Sequence, residues 1–170
     1  MKKISTAAIL VLLCLILAGP AIGEEMVKEG SGENTLVYTG TFNVLPMEKE
    51  LVQMTYETFG VIPDAAPESP LYNATVHCLG SLLAKKGIYE NDAGLCSYTR
   101  PDGDVIFATY KATGKLGSRG GKGTWTFVGG TGKYAGIKGN GEFDRLPGFR
   151  PSAKGTFQGM NKSKGQWKIP

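Results

Sequence analysis

Residues 124–143 read TWTFVGGTGKYAGIKGNGEF, and the six glycines in that stretch constrain the fold more than any other feature of the chain. The stretch opens as a strand, with Trp125 and Phe127 alternating with threonines, and turns strand-like again near Gly139. Between them, Gly130-Thr131-Gly132-Lys133-Tyr134-Ala135 fits the spacing G-x-G-x-x-A. A dinucleotide fingerprint of that form needs a helix whose first amides hold a pyrophosphate. Gly136, Gly139 and Gly141 follow within six residues and exclude a stable helix there. A Walker A loop fails as well, because Tyr134 stands after Lys133 where Ser or Thr is required. The knot is therefore a corner between strands. Gly129, Gly130 and Gly132 form its structural turn, with Gly130 or Gly132 expected at positive φ.

The rest of the chain carries the same β character. LVYTGTFNV (36–44), LVQMTYETFGVI (51–62), NATVHCLGSLLA (73–84) and GLCSYT (94–99) read as strands, followed by DVIFATYKATGKL (104–116) and KGTWTFV (122–128). GIKGNGEFDRL (136–146) and AKGTFQGMNKSKGQWKI (153–169) bring the number to eight. PDAAPESP (63–70) is a loop, because its prolines break any ladder, and RPDG (100–103) is a turn. No segment has helical periodicity. The expected fold is all-β: an eight-stranded antiparallel up-and-down barrel, calycin-like, over residues 35–170. A loose arm is expected over residues 24–34.

The first residues bear on compartment. MKKIS is cationic, the apolar run after it is short for a membrane span, and Ala21-Ile22-Gly23 supplies small residues for cleavage before Glu24. Residues 1–23 read as a bacterial Sec-type signal peptide. The mature protein is expected in the periplasm or outside the cell, without a stable membrane span. Leu13 precedes Cys14 where a lipoprotein signal needs a small residue. Cys78 and Cys96 remain, and an even pair in an exported chain is most simply a disulfide. Their midpoint is Gly87, so a hairpin would bring them face to face, and closing that loop contributes roughly 3 kcal/mol.

Charge divides the chain. Residues 24–104 carry 13 acidic and 5 basic side chains, a balance of −8, and residues 105–170 carry 2 acidic and 12 basic, a balance of +10. The basic residues never form a run, which argues for solvated strand faces and against nucleic acid as the partner. His77 is the single histidine, so with the cysteines paired no metal centre is expected. No cofactor motif is present. His77 reads either as a site residue or as a strand histidine beside the disulfide. Glu57 reads either as an inward carboxylate or as a solvated one. Tyr56, Phe107 and Trp125 are strand-borne aromatics that either fill the barrel or line a pocket for a small apolar ligand. With Glu57 and His77 they are the candidate ligand-binding residues. Catalytic residues and oligomeric state are not legible.

The stretch TWTFVGGTGKYAGIKGNGEF, centred on GGTGKYAGIKG, resembles the strand-turn-strand signature of the allene oxide cyclase-like and dirigent-like barrels. HCLG and DGDVIF extend the likeness over residues 72–169, and the nearest resemblance is to small exported bacterial members of no established activity. It implies that the aromatic after Gly-Lys packs into the barrel while the glycines turn the chain. Plant members cyclise an unsaturated epoxide with polar side chains near their N-terminal strand. LVYTGTFNV and LVQMTYETF do not match those residues, so none is carried over. The expected function is non-enzymatic binding of a small apolar ligand. The alternatives are an isomerase or cyclase acting inside the barrel, and a structural or surface-interaction protein.

Overall fold

The computed structural model describes residues 27–117, 120–146 and 149–170; the expected signal peptide lies outside the described residues. All eight expected strands form: β1 (Glu29–Glu48), β2 (Leu51–Val61), β3 (Thr75–Lys85), β4 (Ile88–Thr99), β5 (Val105–Lys115), β6 (Gly121–Gly130), β7 (Lys138–Arg145) and β8 (Thr156–Lys168). Each pairs antiparallel with the next, and β8 pairs back onto β1 to close the barrel. Among the described residues, closure gives every strand a partner on both sides, which limits the open sheet edge that could template aggregation.

Two boundaries differ from the sequence reading. Residues 29–34, expected in a loose arm, are paired with β8, with Gly30 opposite Trp167 and Glu33 opposite Lys164. Gly30 is there because the Trp167 ring lies over it; an added Cβ would sit 2.6 Å from that ring. β4 begins at Ile88 and not at Gly94, because the polar run Glu90-Asn91-Asp92 stays within the strand across a register shift between Tyr89 and Asp92.

The β3–β4 hairpin turns on Lys86 (φ 52°) and Gly87 (φ 76°), with Lys85 opposite Ile88. Two residues with positive φ are what the twist of a tight hairpin requires. Cys78 and Cys96 then stand opposite one another, their Cα atoms 4.1 Å apart, and form the disulfide.

The glycine corner is built as a short 3-10 turn, Gly132–Tyr134. Gly132 holds the positive φ (49°), and an added Cβ would fall on the Asp104 carboxylate. Gly130 is needed for a different reason: its φ is not in the left-handed region, but a Cβ would lie 2.7 Å from the Tyr134 carbonyl oxygen. Gly129 faces open space. Tyr134 is buried, with the Lys133 ammonium and the Arg100 guanidinium over its ring. Arg100 also donates to the carbonyls of Tyr72 and Ser69, tying the 63–74 loop to this corner. Ile62, Leu71, Tyr134, Ile137, Trp167 and Ile169 are buried at this end and close it. A smaller cluster, Leu82, Ala84 and Tyr89, packs towards the opposite end.

Candidate functional site

The barrel interior is not filled. A cavity of about 580 Å³ lies above the closed end and reaches the rim, where Leu116, Gly117, Pro151 and Lys154 line it. Its walls are mostly apolar, with Leu36, Phe42, Met54, Leu71, Trp125 and Phe157 among them, and the Cys78–Cys96 disulfide forms part of one side. Glycines on the inner face make room for large rings. At Gly80 and Gly94 an added Cβ would collide with the Tyr110 hydroxyl, and at Gly141 and Gly165 with the Trp125 ring.

Within this mostly apolar interior, which Asn34, Thr58, Asn161 and Ser163 also line, sits a buried polar cluster. Asp92, fully buried, pairs with Arg145 (Oδ2 to Nη1, 2.6 Å). The Tyr56 hydroxyl donates to Asp92 Oδ1 and also meets the Tyr110 hydroxyl. Arg145 Nη1 donates to the Tyr89 hydroxyl at 2.9 Å. The directions follow from the inventory of protons. A carboxylate only accepts, so the Tyr56 proton is committed to Asp92, and Tyr110 must donate to Tyr56. Tyr89 accepts from the guanidinium and keeps its own proton to give away. What the cluster can offer a guest is thus a hydroxyl donor and the edge of a cation.

Burial, and then the neighbouring Tyr110 and Asp92, hold the Tyr56 hydroxyl far above the ordinary tyrosine range. Burial pushes Tyr110 and the cavity-facing Tyr98 up to about 12, and raises Tyr38. For Arg145, burial works against the charge, but Asp92, Tyr89, Tyr38 and Tyr56 together outweigh it and keep the guanidinium protonated more firmly than usual. None of these groups changes charge near neutral pH.

Tyr56 and Trp125 line the cavity. Glu57, His77 and Phe107 do not; strand alternation sets them on the outside. Thr58, Cys78, Ile106 and Ala108 are buried on the inner face, so their neighbours along the chain point away. Glu57 and His77 meet there at 2.8 Å, both half-exposed, and His77 stacks on Phe59 with 4.7 Å between ring centres. Among the described residues no group of His, Cys, Asp and Glu could hold a metal ion.

The sequence reading missed Asp92, Arg145, Tyr89 and Tyr110. Arg145 carried a signal: in GEFDR, alternation from the inward Phe143 sends Arg145 inward too. Asp92 carried none, since the register shift before it breaks the period of two.

No protein-family model matches the chain, and no curated protein does. Among solved structures it is similar to a pterocarpan synthase dirigent protein, with TM-score 0.45 and 9% identity, covering 89% of this chain and 96% of that one. A second pterocarpan synthase dirigent protein gives TM-score 0.24 and 13% identity, covering 84% of this chain and 97% of that one. The closed eight-stranded barrel rests on its own strand pairing.

Proposed function

We propose that the protein is an exported barrel that binds one small, mainly apolar molecule, seated by an oxygen that accepts hydrogen bonds from Tyr89 and Arg145. The observation that carries this reading is the open cavity of about 580 Å³ with mostly apolar walls and a buried polar cluster on one part of them. That volume falls in the range of small-molecule sites, roughly 300–1,000 Å³, where apolar walls supply affinity and a few polar groups fix orientation. Export is supported by the cysteine pairing, which suits an oxidising compartment. No helix among the described residues is long and apolar enough to cross a membrane.

A second reading, an isomerase or cyclase, is favoured by a buried carboxylate beside an open cavity. The hydrogen bonding weighs against it. A general base needs a pKa near the working pH and a lone pair facing the substrate. Asp92 Oδ1 accepts from Tyr56, Oδ2 has no hydrogen-bond partner but is held in the ion pair with Arg145, and Tyr56 is held far too high to release its proton readily.

The test is native mass spectrometry of protein purified as its host makes it, with titration of a fluorescent lipid probe and of heparin at low and high salt. Binding of the probe should be insensitive to salt and be lost in Thr58→Phe, which puts a ring into the cavity. Binding of heparin alone, at low salt only, would show that the basic surface is the working part. A retained molecule released in chemically altered form would favour the isomerase.

A further inference from the structure

The two ends of the barrel differ in surface chemistry as well as in closure. The β1–β2 turn, the β3–β4 hairpin, the β5–β6 turn and the 146–155 loop all lie at the open end. The first three are laced together, with the Lys86 N–H donating to the Glu50 carbonyl and the Leu116 N–H to the Gly87 carbonyl. Residues 43–48 of β1 continue past the last ladder pair with β8, Thr41 with Thr156. On or beside these connections Leu45, Met47, Ile88 and Phe149 are 53–64% exposed, and Leu45 is the most exposed large apolar side chain among the described residues. Basic groups ring the same end. Lys49, Lys85, Lys86, Arg150 and Lys154 are exposed, and among the described residues none of them forms an ion pair. The acids there, Glu48, Glu50 and Glu90, are fewer. Elsewhere cations are engaged: Lys122 pairs with Asp144, Lys164 with Glu142 and Lys168 with Glu29 on the walls, and Lys133 pairs with Asp102 at the closed end.

We infer that the open end docks on a lipid bilayer whose surface carries anionic headgroups. Single apolar side chains on separate turns do not make the continuous packed surface that a protein partner needs. They suit the headgroup boundary of a bilayer, where each is buried independently of the others. Each Lys or Arg brought near an anionic surface adds attraction, provided no acid of the protein has already neutralised it. That condition separates the cations of the rim from the paired ones of the walls. Position supplies the rest of the argument. The cavity reaches the surface at this same end, beside Leu116, Gly117, Pro151 and Lys154. A mainly apolar guest dissolves poorly in water, and docking by the mouth lets it pass from bilayer to barrel without crossing the solvent. That transfer rests on the ligand-binding reading; the docking itself does not.

Flotation with vesicles of mixed phosphatidylglycerol and phosphatidylcholine, against phosphatidylcholine alone, tests the inference on protein purified as its host makes it. The parent should float with the anionic vesicles, less so at high salt, and stay behind with the neutral ones. Leu45→Gln with Phe149→Gln, and separately Lys85→Glu with Arg150→Glu, should weaken binding at least about tenfold while keeping the parent's circular dichroism. Lys111→Glu with Lys138→Glu makes the same charge change away from the rim and should leave binding unchanged. A soluble fluorescent lipid probe separates docking from ligand binding. The rim variants should still take up the probe, and Thr58→Phe, which loses the probe, should still float. A parent that floats with neither kind of vesicle overturns the inference, as do equal flotation with both kinds and rim variants that float like the parent. Flotation lost in Thr58→Phe but kept in the rim variants would mean that lipid is held only as a guest in the cavity, and equally overturns docking.

Discussion

Asp92 and Arg145 show how a single buried pair can be costly to break and cheap to replace. Two charges inside a barrel lose hydration that their attraction only partly restores. Removing one partner strands the other, so Asp92→Ala should destabilise by about 3–5 kcal/mol. The double replacement Asp92→Leu with Arg145→Met should recover most of that loss, as read by urea denaturation of the three variants. The tyrosines give a second prediction at this scale. Burial raises the folded-state pKa of Tyr98 from 10.0 to about 12. The folded chain therefore holds that proton more tightly than the unfolded chain does. Its contribution is fully present below pH 10 and is lost as pH rises towards about 12. Stability should fall more steeply across that window in the parent than in Tyr98→Phe, measured by urea midpoints at stepped pH.

At the scale of elements, the two tight connections work by different physics. The Lys86-Gly87 hairpin needs positive φ at both positions, whereas the glycine corner needs positive φ at Gly132 and a close backbone approach at Gly130. Gly132→Val should impair folding by strain and collision with Asp104, and Gly130→Val by collision with the Tyr134 backbone. Gly129→Ala should leave the thermal melt unchanged, because nothing lies within 4 Å of its Cβ position. The β3–β4 hairpin adds a covalent tie across 18 residues. Reducing it should lower stability by roughly 3 kcal/mol. Chemical denaturation with and without reductant reads that loss, and an unchanged midpoint would mean the pair contributes nothing.

For the whole molecule, closure couples every strand to the next, and the cavity sits where those strands converge. A molecule bound there should stabilise the barrel as one unit. At about a hundredfold excess over its Kd, it should add about 2.7 kcal/mol. Differential scanning fluorimetry should show one transition moving upward in the parent and none moving in Thr58→Phe. Two transitions, with only one responding, would mean that the binding wall unfolds separately.

The number of strands, the glycine corner and the Cys78–Cys96 pairing were all legible in the sequence. Each is written locally, in alternation over a few residues, in glycines too dense for a helix, or in equal spacing about one turn. The inside of the barrel was not legible in the same way. In LVQMTYETF and in TVHCLGSLL both phases of the alternation carry apolar side chains, so pattern alone cannot say which phase faces inward. Closure decided it, turning Tyr56 and Cys78 inward and Glu57 and His77 outward, while Phe107 left the cavity wall because Ile106 and Ala108 took the interior. The polar cluster depended on tertiary structure still more. Asp92 and Arg145 stand on β4 and β7, strands that do not pair, and only the curvature of a closed sheet carries them across the interior to within 2.6 Å.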